Sequence, residues 1–227
     1  MEDIREKRMS ILNTYGENLS TKEYITNPAI GRDEQIKALI LTLITPDKSA
    51  ILTGKPGVGK TSTVEGLAYR IQKKLVPDVL RNYQVYKIAT SQLLGTDPKT
   101  GEAKVQTLID ELKEKRNLIL FIDEIHTLMG NKDTPLDFAN TFKPALDRGD
   151  IKVIGATTDE EYERYILRDK AFVRRFQKIA VSEPTRDENI QILMGTLPKI
   201  EKRTGVMMNY TTYVKRQMME FITDITS

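Results

Sequence analysis

The run Gly54-Lys55-Pro56-Gly57-Val58-Gly59-Lys60-Thr61 has the spacing G-x-x-x-x-G-K-[ST], the pattern that lets a backbone wrap round phosphate. Its glycines allow successive N–H groups to turn toward phosphate oxygens, and a helix opening near Lys60 would add the positive end of its dipole. Pro56, Gly57, Val58 and Gly59 then supply the cradle, and Lys60 meets the β and γ phosphates. The Thr61 hydroxyl becomes a magnesium ligand, and Ser62 can reach the α phosphate. A glycine-rich turn can match this string by chance, but here a strand precedes it and a helix follows.

Asp123 and Glu124 come directly after Leu118-Ile119-Leu120-Phe121-Ile122. That places both carboxylates at the C-terminal end of a buried strand, where open α/β sheets hold their ligands. Acids in that position commonly just begin a solvated loop. Paired with the phosphate loop, they acquire distinct roles: Asp123 holds Mg²⁺ directly or through water, and Glu124 polarises the attacking water. His126 is the only histidine in the chain, and it reads as a packed, hydrogen-bonded structural residue rather than a proton carrier.

Alternating strands and helices must position these groups. Apolar residues at helical spacing follow Asp33, a candidate N-cap, through Leu41. Residues 50–53 read as a strand, 60–74 as a helix, 84–89 as a strand and 105–115 as a helix. The unbroken apolar run 118–122 suits a central parallel strand covered on both faces. A helix over 136–148, ended by Gly149-Asp150, leads to a strand at 151–157, and a fifth strand fits 176–181. The alternation predicts a parallel five-stranded sheet between helices. Residues 1–28 form a charged lead-in able to hold one helix before a loop, 29–183 the α/β unit, and 184–227 a mainly helical tail.

Bulk properties narrow the chemistry. The chain has 227 residues, 35 basic and 32 acidic side chains, and a net charge of +3. The charges are interspersed, so despite an isoelectric point near 8.9 there is no basic stripe for nucleic acid. Cysteine is absent, which excludes disulfide scaffolds, thiolate metal sites and cysteine nucleophiles. No signal peptide and no apolar run of ~20 residues is present, so the expected setting is the cytoplasm, without a membrane partner.

The motifs together resemble the first ATPase module of the Clp-type unfoldases, the ClpB and ClpC group within the AAA+ ATPases. Asn27-Pro28-Ala29-Ile30-Gly31-Arg32-Asp33-Glu34 is similar to the family's stretch before the first core helix, where backbone around Ile30 and Gly31 lines the adenine pocket. Val64-Glu65-Gly66-Leu67-Ala68, Phe121-Ile122-Asp123-Glu124-Ile125-His126-Thr127 and Lys143-Pro144-Ala145-Leu146 match further family segments. Within Ile154-Gly155-Ala156-Thr157-Thr158 the resemblance assigns Thr158 as the polar sensor of the γ phosphate, with Thr157 the alternative. Arg174-Arg175-Phe176 looks like the family's paired arginine fingers. The likeness covers about residues 12–195 and implies an α/β P-loop NTPase fold of the AAA+ type with a partial helical lid. It implies ATP and ADP with Mg²⁺, a ring of identical subunits, hexameric in this family, and protein clients.

The sequence departs from the family in two loops. Where the family carries an aromatic pore loop, this chain reads Asp97-Pro98-Lys99-Thr100-Gly101-Glu102, and the nearest aromatics, Tyr83 and Tyr86, lie upstream. The loop after the second acidic motif reads Gly130-Asn131-Lys132-Asp133-Thr134. The chain also stops at Ser227, before the family's lid finishes, as expected of a fragment whose tail methionines are packing residues of that lid or the surface onto which missing helices dock. Three readings follow: an ATPase that remodels proteins, a nucleotide-gated assembly module without threading, and, on mild basicity alone, a factor acting on DNA.

Overall fold

Short, wholly apolar runs form the centre of the molecule because, as parallel strands, they are shielded on both faces. The computed structural model describes residues 10–97, 101–115, 117–129, 138–149 and 151–226. In chain order these form α1 (Ile11–Tyr15), β1 (Gly16–Asn18), α2 (Asp33–Ile44), β2 (Ser49–Thr53), α3 (Lys60–Gln72) and β3 (Gln84–Ile88). Then come α4 (Thr90–Leu93), α5 (Lys104–Glu114), β4 (Leu118–Ile122), α6 (Phe138–Asp147) and β5 (Lys152–Thr157). The chain closes with α7 (Asp159–Glu161), α8 (Lys170–Val173), β6 (Phe176–Ala180), α9 (Arg186–Thr204) and α10 (Thr212–Thr226).

The strands lie in the order β1-β3-β4-β5-β2-β6. All five expected strands pair in parallel. The sheet nonetheless has six strands, because Gly16–Asn18 adds an antiparallel edge to β3, with Glu17 opposite Lys87. Nothing in Gly16-Glu17-Asn18 favours a strand. The segment is extended by its surroundings: Ile11 and Leu12 are fully buried, and the Leu19 amide donates to Val85 O at 2.8 Å. Within the described part of the lead-in, a short helix is followed by a strand before the expected loop.

Alternate strand residues enter two cores. Ile51, Leu120 and Ile122 pack on one face with α1, α5 and α6. Ala50, Leu52, Ile119 and Phe121 pack on the other with α2 and α3. The cap of α2 differs from expectation. Arg32 occupies the cap position without a side-chain capping bond, and Asp33 is the first helical residue, its carboxylate paired with Arg70. Beyond the sheet, Thr185 and Glu188 form a reciprocal capping box that starts α9. α9 then packs on α10 through a small core of Ile190, Leu197 and Met219. Among the described residues no helix is long and apolar enough to cross a membrane.

Candidate functional site

β2 has β5 on one side and β6 on the other, so the strand order reverses at β2 and a crevice opens beyond the strands' C-terminal ends. The phosphate loop leaves β2 at this edge, Asp123 leaves β4, and Thr157 ends β5. Gly57 (φ +76°) and Gly59 (φ +102°) hold the left-handed backbone that side chains disfavour, and Gly59 caps α3. Val58 is buried beneath the loop. Lys60 Nζ donates to Gly54 O at 2.8 Å and Lys55 O at 2.9 Å, which keeps the ammonium against the loop.

Two distant motifs meet here. The Thr61 hydroxyl donates to Asp123 Oδ2 at 3.0 Å. Lys87 Nζ, on β3, stands 3.8 Å from the same oxygen. Glu124 is exposed and has φ 52° and ψ 42°, an uncommon conformation for a side chain of this type. Its carbonyl accepts from both the Thr127 amide (3.0 Å) and hydroxyl (2.9 Å), which starts the short 3-10 turn Ile125–Leu128. Thr61 and Asp123 offer two hard oxygen donors side by side, a set that suits Mg²⁺, which commonly takes one carboxylate, waters and phosphate oxygens. Groups of three or more acidic, His or Cys residues able to hold a metal are absent among the described residues.

At the end of β5 the two candidate sensors separate in role. The Thr158 hydroxyl accepts from the Glu161 amide at 3.2 Å and caps α7. Thr157 is buried, with its hydroxyl 3.0 Å from His126 Nδ1 and donating to Glu161 Oε2 at 3.1 Å. His126 also stacks on Tyr165, consistent with a structural role. Burial alone would raise the Glu161 pKa, but the bonds from Thr158 and Thr157 and the nearby His126 outweigh it and bring it below the usual range.

A cleft of about 610 Å³ flanks the phosphate loop, lined by Asn27, Ile30, Gly57, Ser62, Asn189 and Thr196 among others. One wall is α9. Gly31 (φ +73°) lies against Glu188, and Ile30 fills the space where a side chain on Gly195 would stand. The sequence assigns a site role to Ile30 and Gly31 but none to Asn189, Thr196, Lys87 or Arg32. Only a tertiary contact brings α9 to the loop, and nothing in the local sequence of Lys87 or Arg32 distinguishes either from a cation on a solvated surface.

Arg174 and Arg175 do not join this crevice. They precede β6, whose far end, Ala180, pairs with Thr53, so a strand length of roughly 16 Å lies between them and the phosphate loop. Arg175 Nε is 2.6 Å from Asp147 Oδ1, a close ionic contact without the alignment of a hydrogen bond. Arg174 is looser, 3.8 Å from Asp147, with 62% of its side chain exposed. Around the position of the family's pore loop, Asp97 N donates to Glu102 O, and Thr96 bridges Ala103. Residues 98–100, 130–137, which include the start of the helix expected over 136–148, and 150 lie outside the described residues. Tyr86 is on β3 and packs on the core with Tyr83 partly buried nearby.

The sequence model of the ATPase family associated with various cellular activities (AAA) matches residues 50–183. The chaperone protein ClpB of Aquifex aeolicus is 44% identical over 88% of this chain and 21% of its own length. The ATP-dependent Clp protease ATP-binding subunit ClpE of Bacillus subtilis is 40% identical over 89% of this chain and 30% of its own. Solved structures of an Hsp104–ADP complex and an Hsp104–casein complex, both from S. cerevisiae, superpose with TM-scores of 0.75 and 0.76 at 40% identity. They cover 86% and 87% of this chain, which spans 34% and 35% of theirs.

Proposed function

Because the chain belongs to the AAA family of ATPases, as an ATP-hydrolysing member of the Clp type, we propose that it is a motor module that drives protein remodelling. The observation that carries this is the Thr61–Asp123 hydrogen bond, which unites the phosphate loop and the acidic strand end in one site. The proposed binding set is Ile30 and Gly31 at the base, residues 56–59 and Ser62 along the phosphates, and Lys60 at the β and γ phosphates. Thr61 and Asp123 hold Mg²⁺, which would neutralise phosphate charge as the terminal bond breaks. Among the described residues the Glu124 carboxylate makes no side-chain hydrogen bond or ion pair, and it accepts a proton from the attacking water. Thr158, at the start of α7, keeps a hydroxyl hydrogen available for the γ phosphate, with Thr157 the alternative.

The arginines act across a subunit boundary. Their place at the N-terminal end of β6, a strand length from the phosphate loop, supports this, since they do not join the site of their own chain. Of the two, Arg174 is the exposed one and the better finger, and Arg175 anchors the loop on Asp147. A closed ring of identical subunits, six in number, gives each site its neighbour's arginine. Helices α9 and α10 are the start of a lid, 184–227, on the α/β unit 29–183. A relative solved with casein supports protein clients, and the cytoplasm is the proposed setting. The reading without threading keeps one specific support, the sequence of the 97–102 hairpin, which holds no aromatic residue.

The direct test is calorimetry with MgADP. The folded chain should bind, and Lys60→Ala should weaken binding by about tenfold or more, the loss of one charge-assisted phosphate contact. A well-folded wild-type chain with no affinity for ATP or ADP would overturn the reading.

A further inference from the structure

Among the described residues, Arg32 and Asp97 are the charged side chains that are buried, and Arg32 is only 5% exposed. A guanidinium taken out of water needs its donors satisfied. Arg32 does this with two backbone carbonyls: Nη2 donates to Val58 O at 2.7 Å and Nη1 to Ser182 O at 2.8 Å. The first carbonyl belongs to the phosphate loop. The second lies between the end of β6 and the capping box that begins α9.

The peptide joining Val58 to Gly59 is trans, as are all peptides in the structure, so its C=O and N–H point in opposite directions. With the carbonyl fixed on Arg32, the Gly59 N–H is directed away from Arg32. A charge-assisted bond at one end of a peptide also polarises the other, which makes that N–H a better donor to an anion. Neighbouring contacts run in the same sense. The Val181 amide donates to Thr53 O at 2.7 Å, and Lys55 Nζ meets Glu183 Oε1 at 2.9 Å. The phosphate loop and the segment leading into α9 therefore lie side by side, and Arg32 is the buried fork that joins them.

We infer that Arg32 is a positioning residue that aims the Gly59 amide at the nucleotide phosphates and transmits phosphate occupancy to the hinge of the C-terminal helices at Ser182. This rests on the proposed nucleotide site. It assigns to one side chain the link between that site and the helices α9 and α10. A lysine cannot replace it, because a single ammonium on a flexible stem does not present two coplanar donors to two segments.

Hydrogen exchange of the full chain, with and without saturating MgADP, reads the link at single amides. In the wild type, the Gly59 and Glu183 amides should both slow, each by roughly tenfold, within the usual range of coupling between sites. In Arg32→Lys at its own saturating MgADP, Gly59 should still slow while Glu183 should not. Arg32→Gln, which keeps a donor for one carbonyl, should separate the two amides in the same way if the lysine variant folds poorly. A Glu183 response equal to that of the wild type in either folded variant overturns the inference. If the wild type binds no MgADP at all, the nucleotide site itself is lost and the inference with it.

Discussion

Glu124 shows how a single residue can be legible by type and yet depend on the fold for its placement. Its left-handed backbone, φ 52° and ψ 42°, costs of order 1–3 kcal/mol. That cost is offset by the turn it starts, in which Thr127 bonds its carbonyl twice. The turn lifts the carboxylate off the strand axis while Asp123, one residue earlier, stays in reach of Thr61. Glu124→Gln preserves size and shape but cannot take a proton. It should bind ATP as the wild type does and lose turnover by about 10²–10⁴-fold, the usual worth of a general base, measured by calorimetry beside a phosphate-release assay. Normal hydrolysis in that variant removes Glu124 from the reaction. Both carboxylates were readable as acids after an apolar strand. Lys87, 3.8 Å from Asp123, was not, because its β3 neighbours give no hint that β4 lies beside it.

At the scale of the element, the caps and close approaches that frame the site can each be tested. Asp169 caps α8 by accepting from the Phe172 amide at 3.1 Å, and it pairs with Lys143 at 2.7 Å. Burial alone would raise its pKa, but the Lys143 ammonium and the Phe172 amide more than compensate, and the carboxyl lies below its ordinary value. A carboxyl depressed in the folded state contributes stability above its unfolded pKa, near 3.9, and loses it as the pH falls through the folded value. Asp169→Asn keeps an acceptor for the cap but loses the charge paired with Lys143, and should therefore cost up to about 1 kcal/mol at pH 7. In urea melts its deficit should stay constant down to about pH 4–5 and shrink below, whereas a pH-independent deficit would show that the charge is irrelevant. Gly66, inside α3, faces Ala29 and Ile36 with no room for a methyl. Gly66→Ala gains about 1 kcal/mol of helix propensity but overpacks a core contact at a cost of roughly 1–3 kcal/mol. The second effect should win, with a lower urea midpoint; a rise would mean that the 27–32 segment yields easily. The helical tail from 184 was legible in the residue types, whereas β1 was not, because its extended form comes from the Tyr86–Ile88 edge and the buried Ile11 and Leu12 rather than from its own sequence.

For the whole molecule, the decisive feature is that the sheet has two ends. The nucleotide groups gather at the C-terminal ends of the strands, and Arg174 and Arg175 stand at the start of β6. On the proposed reading, activity needs a second copy. In mixtures, Arg174→Ala subunits should regain activity from Lys60→Ala subunits, because each lacks what the other supplies at a shared boundary. Arg174→Ala alone should fall by about 10³–10⁵-fold, as for other such fingers, and a mixture no better than its components would remove the shared site. The sequence by itself determined which residues can meet phosphate and magnesium and that parallel strands carry them, because glycine spacing, side-chain type and hydrophobic runs are local properties of the chain. Only the tertiary structure decided that Thr61 touches Asp123, that α9 walls the cleft, that Arg32 bonds both the phosphate loop and Ser182 and that the arginine pair faces away. Those facts depend on strand order and on side chains separated by many tens of residues, and no local pattern encodes which segments become neighbours.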